Sequence, residues 1–126
     1  RSKDGSTKAD LVQDSNHQAY GVLYQLKKEE FHLLDKAEGL GYGYIRVQKE
    51  ISFNNEKKKA WLYLAQSNFI DTKNLPYSWY MDFVIYGAIQ HQIPSFVISQ
   101  LQKVPIQKDT NKVRVMANRK ILEQCK

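Results

Sequence analysis

The clearest alternation of apolar and polar positions lies over Tyr44–Phe53 (YIRVQKEISF). Ile45, Val47, Ile51 and Phe53 fall on one face, and Arg46, Gln48, Glu50 and Ser52 on the other. Side chains of a strand point alternately to its two faces, so this spacing predicts a half-buried β-strand, interrupted once on its apolar side by Lys49. Asn54, Asn55 and Glu56 supply turn chemistry, residues 57–59 are a charge run at the hairpin mouth, and residues 59–65 (KAWLYLA) are the returning strand.

Upstream, residues 19–26 are rich in aromatic and branched side chains and predict a largely buried strand. Gly21 inside it suggests a bend or a close approach to the backbone. Residues 27–38 then take a helical period. Phe31, Leu34 and Glu38 share a face at i, i+3, i+7, with Leu33 and Ala37 beside them, and Gly39 is placed to end the helix in a left-handed conformation. Before this, residues 1–8 are polar loop, 9–12 a short strand, and 14–16 a turn.

Downstream, residues 66–76 carry Asn, Asp, Thr, Lys and Pro without a period and predict a loop. A helix follows from Tyr77 with Ser78 as its cap. It has one stripe of Trp79, Phe83 and Tyr86 and another of Tyr80, Val84 and Gly87, and the Gly87-Ala88 pair would allow close helix packing. Pro94 suits the first turn of a second helix over residues 95–103, which Pro105 ends. Residues 106–126 are expected to hold a short strand at 113–116 and a helix beyond. Strand, helix, hairpin, loop and helices in that order define an α+β chain, expected to be one domain of residues 1–126.

Composition narrows the function classes. With 42% hydrophobic and 25% charged residues the 126-residue chain has the make-up of a globular domain, and its longest apolar run, residues 83–89, is far short of the ~20 residues a membrane helix needs. One cysteine, Cys125, rules out an internal disulfide framework and favours a reducing, cytoplasmic setting. The net charge of +6 resides mostly at the end of the chain: residues 91–126 carry seven basic and two acidic side chains, against 12 and 11 in residues 1–90. The basic side chains of a tail over residues 104–126 are spread out, which reads as a solvated surface rather than a nucleic-acid contact.

Strong chemical motifs are absent: no GxxxxGK[ST], GxGxxG, HExxH, CxxC or GxSxG occurs. His17, His32 and His91 lack ligand spacing, so no metal site is expected, and no cofactor is implied. What remains is Glu38, an acid set between Ala37 and a run of glycines, together with eight tyrosines. A carboxylate in the last turn of a helix meets the negative end of the helix dipole, and apolar neighbours such as Leu34 and Leu40 act in the same direction, both raising its pKa. Spacing alone leaves two readings, a solvated surface acid or a proton-transfer group.

The segment YGVLYQLKKEEFHLLDKAEG resembles the central motif of the γ-glutamylcyclotransferases, in which a (W/Y)GVLY strand is followed by a helix ending LDxxEG and a Tyr-containing strand. LPYSWYMDFVIYGAIQHQIPSFVISQL resembles the downstream part of the same family, so the likeness runs over residues 9–101. It implies a small mixed β-barrel with surrounding helices, and release of 5-oxoproline from a small γ-glutamyl compound. Glu38 then matches the general acid/base, Tyr80 a tyrosine of the substrate pocket, Tyr44 (or Tyr42, one gap away) a second, and Tyr63 a further substrate-binding candidate. Family members begin with a strand and a YGSN-type loop that holds the substrate. No such loop occurs here and the first residue is Arg1, so the resemblance implies an N-terminally incomplete domain, or a catalytically silent binding module on the same fold.

Overall fold

Alternation over residues 44–65 resolves into an antiparallel hairpin, β1 (Tyr44–Phe53) and β2 (Glu56–Ala65), in continuous register from Tyr44 opposite Ala65 to Phe53 opposite Glu56. The computed structural model describes residues 6, 8–11, 16–37, 43–66 and 73–126. The two-residue turn needs both central residues in the left-handed region. Asn54 (φ 49°) and Asn55 (φ 64°) meet that need, asparagine being one of the few residues that tolerates it. At the open end Gly43 N–H donates to the Gln66 side chain (3.0 Å) and Gln66 N–H to Gly43 C=O (2.7 Å), with Gly43 at φ 147°. Among the described residues the sheet is this one open ladder, so the fold is α+β with a two-stranded sheet.

The helix expected over residues 27–38 forms as a 3-10 turn, Lys28–Glu30, running into α1, Phe31–Ala37. Residues 19–26 form no strand, and Tyr24 is 66% exposed. β-propensity becomes a strand only where a partner strand takes up the backbone groups. No neighbouring atom would touch a Cβ at Gly21, so the close approach expected there is not made.

The chain divides into two compact units: residues 9–70, which hold α1 and the hairpin, and residues 1–8 with 71–126. In the second, α2 (Ser78–Gln90) packs against α3 (Ser95–Gln102) and α4 (Lys112–Cys125). Its buried centre contains Tyr77 and Met81. Tyr77, not Ser78, is the N-cap of α2, and it forms a parallel bridge to Gln107: Ser78 N–H donates to Gln107 C=O (3.1 Å) and Gln107 N–H to Pro76 C=O (2.9 Å). Gly87 makes no close helix contact, since a Cβ there meets open space.

The strand expected at 113–116 is instead the first turns of α4. Asn111 decides this, its side chain accepting from Arg114 N–H at 3.0 Å as an N-cap. None of the helices among the described residues is long and apolar enough to cross a membrane.

Candidate functional site

In the first unit α1 is held to the hairpin by one acid. Asp35 accepts two hydrogen bonds from Arg46 Nη1 (3.0 and 2.8 Å) and a third from the Tyr63 hydroxyl. Arg46 and Tyr63 are register partners on β1 and β2, so a single carboxylate reaches both strands. The Arg46 guanidinium lies 5.6 Å from the Phe31 ring centre and 5.1 Å from that of Trp61, an arrangement that adds cation–π attraction to the ion pair. Burial, and then the hydrogen bond to Asp35, push the Tyr63 hydroxyl up to about 12. Tyr63 is therefore neutral at physiological pH, with its one hydroxyl proton given to Asp35, and is unsuited to act as a base.

Of the residues singled out by sequence, Tyr44 and Tyr63 share this hairpin face, two register steps apart on opposite strands. The Tyr44 hydroxyl donates to Ala9 C=O at 3.3 Å, and the Asp10 carboxylate accepts from Ala65 N–H at 2.9 Å, so residues 9 and 10 run along the open end of the ladder. Glu38 and Tyr42 lie outside the described residues; in sequence Glu38 directly follows Ala37, the last residue of α1. Sequence reasoning missed Asp35 and Arg46. The available signal was the i, i+4 pairing of Phe31 with Asp35 on one helix face, and a lone arginine on a strand face otherwise read as solvated.

Tyr80 belongs to the second unit, at the start of α2. Its ring meets Trp79 edge to face, with centroids 6.4 Å apart, and the Lys8 ammonium lies 5.0 Å from its centre. The same ammonium is 5.3 Å from the Trp79 ring and 6.0 Å from that of Tyr77, and donates to the fully buried Ser6 hydroxyl at 2.8 Å.

Below these rings lies a buried acid, Asp109. It accepts from Arg114 Nε (2.5 Å) and Nη2 (2.6 Å), from Trp79 Nε1 (2.9 Å) and from Asn111 N–H (2.9 Å). The Arg114 guanidinium, foremost, holds this carboxyl well below the usual carboxylate range. Arg114 was counted with the solvated basic tail; it is instead the ion-pair partner of the buried acid that fixes the start of α4.

A chain of this kind, an α+β protein with a short helix clamped by its carboxylate to an open hairpin and followed by a helical unit, defines a class by architecture before any name. The sequence profile described as the AIG2-like family matches residues 18–101, 84 of the 126 residues, and the chain belongs to that family, one of γ-glutamylcyclotransferase-like fold. No curated protein and no solved structure matches the chain.

Proposed function

We propose that the chain is a γ-glutamylcyclotransferase-like enzyme that cyclises a small γ-glutamyl compound to 5-oxoproline. The α-amine of the substrate attacks its own γ-carbonyl, a tetrahedral oxyanion forms, and the bond to the departing nitrogen breaks to release an amino acid or amine. Because nucleophile and electrophile are in one molecule, folding the substrate so that they meet supplies much of the acceleration. One group must take the proton from the ammonium and return it to the leaving nitrogen, and in this reading that group is Glu38. Tyr80, Tyr44 and Tyr63 are the substrate-binding candidates that the family resemblance supplies, and the chemistry they would serve is donation to the oxyanion or the α-carboxylate. The hairpin is then part of a small mixed barrel, the setting is cytoplasmic, and no cofactor takes part.

The observation that carries this reading is the family match over residues 18–101, which includes the helix, Glu38 and the tyrosine-bearing α2 together. The clamp of α1 supports it: Asp35, three residues before Glu38, is tied to both strands, so the end of the helix starts from a fixed position. The test is release of 5-oxoproline from γ-glutamyl dipeptides, with Glu38→Gln as the diagnostic variant. The reading calls for a YGSN-type loop, a motif that does not occur in residues 1–126, so binding of the dipeptide to residues 1–126 is measured beside turnover. Unchanged turnover in Glu38→Gln would refute the assignment.

A second reading, a silent binding module, draws on the commitments already made by the predicted pocket tyrosines: Tyr63 to Asp35, and Tyr80 to Lys8. It is distinguished by ligand binding without turnover.

A further inference from the structure

The hairpin face that carries Tyr63 also forms, with the helix, a groove that the cyclisation chemistry leaves unused. Its volume is about 410 Å³, and it is lined by Lys28, Phe31, His32, Asp35, Arg46 and Trp61. That falls within the ~300–1,000 Å³ of small-molecule sites. One wall is helical, with Lys28, His32 and Asp35 recurring at i, i+4, i+7 and Phe31 beside them. The other is the sheet, where Arg46 and Trp61 are diagonal neighbours on one face: Arg46 is opposite Tyr63, and Trp61 opposite Gln48.

The charges in this groove are unevenly spent. Asp35 is taken up by Arg46 Nη1 and the Tyr63 hydroxyl. Among the described residues, Arg46 Nε and Nη2, the Lys28 ammonium and the His32 ring make no hydrogen bond or ion pair. Glu29 and Glu30 follow Lys28 in sequence but line no part of the groove. Trp61 is 49% exposed, and the Arg46 guanidinium lies near both its ring and that of Phe31. Cationic donors around flat aromatic surfaces match one ligand chemistry: an oxyanion carried on a planar apolar body.

We infer that this groove binds a small aromatic carboxylate or phosphate monoester, its anion on Lys28 and the unused edge of Arg46 and its ring against Trp61. The site stands apart from the cyclotransferase reading, which uses Asp35 only to hold α1 and gives the other lining residues no role.

The test is two-dimensional NMR of residues 1–126 titrated with benzoate, phenyl phosphate and uncharged benzamide, read at the Trp61 indole N–H and the Arg46 Nε–H. Saturable shifts of both signals with either anion, and none with benzamide, support the site; whichever anion binds tighter identifies the head group. Lys28 is exposed and tolerates replacement, and Lys28→Glu should weaken binding about tenfold, as removing and then reversing one exposed charge contact implies. Trp61→Ala should weaken it as well, while hairpin amide dispersion shows that the fold persists. The proposal is overturned if benzamide shifts the same signals equally, if neither anion gives a saturable shift up to about 10 mM, a Kd weaker than any useful site, or if Lys28→Glu leaves the Kd unchanged.

Discussion

Replacing Arg114 by methionine should be the most damaging single change in the second unit. The Asp109 side chain is fully buried and accepts four hydrogen bonds, two of them from Arg114. Arg114→Met leaves that carboxylate with only the Trp79 indole and Asn111 amide as donors, and stranding a buried charge costs about 3–5 kcal/mol. Asp109→Asn should cost less, about 1.5–3 kcal/mol for a lost charged hydrogen bond, because the Arg114 side chain is 30% exposed and its guanidinium regains water. For a chain of this length the larger loss corresponds to a fall in Tm of roughly 10–20 °C.

The assay is urea unfolding followed by Trp79 emission in a Trp61→Phe background, since one tryptophan lies in each unit. A pH series sharpens it. The folded pKa of Asp109 is depressed, so its contribution is fully present above the ordinary unfolded value of ~3.9 and is lost as pH falls toward the lower folded value. With Arg114 gone the largest cause of the depression goes too, leaving the Asn111 and Trp79 hydrogen bonds against burial, and the gap between parent and variant should narrow from pH 7 to pH 3. If Arg114→Met lay within about 0.5 kcal/mol of the parent, the ordinary range of a surface substitution, or cost less than Asp109→Asn, the argument from burial would fail.

Other consequences can be checked separately. Glu38→Gln should abolish 5-oxoproline release while leaving the urea midpoint nearly unchanged, which separates a chemical role from a structural one. In a spectrophotometric titration at alkaline pH, one of the eight tyrosines should ionise near 12, and Tyr63→Phe should remove that step. Because this pKa lies above the unfolded value of 10, the associated stability is complete below pH 10 and is lost as pH rises toward 12. Asn55→Gly should change hairpin stability by less than about 1 kcal/mol, since the easier left-handed turn position is offset by the greater freedom of glycine in the unfolded chain, whereas Asn55→Val should destabilise it by about 1–2 kcal/mol.

Periodicity was enough to place the hairpin, α2 and α3, because each states its conformation locally: alternation with two left-handed asparagines between, or a 3.6-residue period bounded by prolines. The family, too, was legible, since the LDKAEG and YGAIQHQIP segments are contiguous stretches of sequence. Where a structure needs a partner, sequence fell short. Residues 19–26 have strand composition yet form no strand, and residues 113–116 have branched side chains yet continue a helix because Asn111 caps it.

The same limit governs the site. Glu38 and the tyrosines were found through motif, and their roles rest on that motif. Asp35, Arg46 and Trp61 meet only because β1 and β2 pair in one register and α1 lies across them, 11 and 26 residues away from Asp35 along the chain. Arg114 looked like one more cation of a basic tail until the fold set it against Asp109. The sequence by itself determined the hairpin, α2, α3 and the family. Only the tertiary structure decided which charges are spent on one another and which remain for a ligand, because charge pairing depends on distance in space and not along the chain.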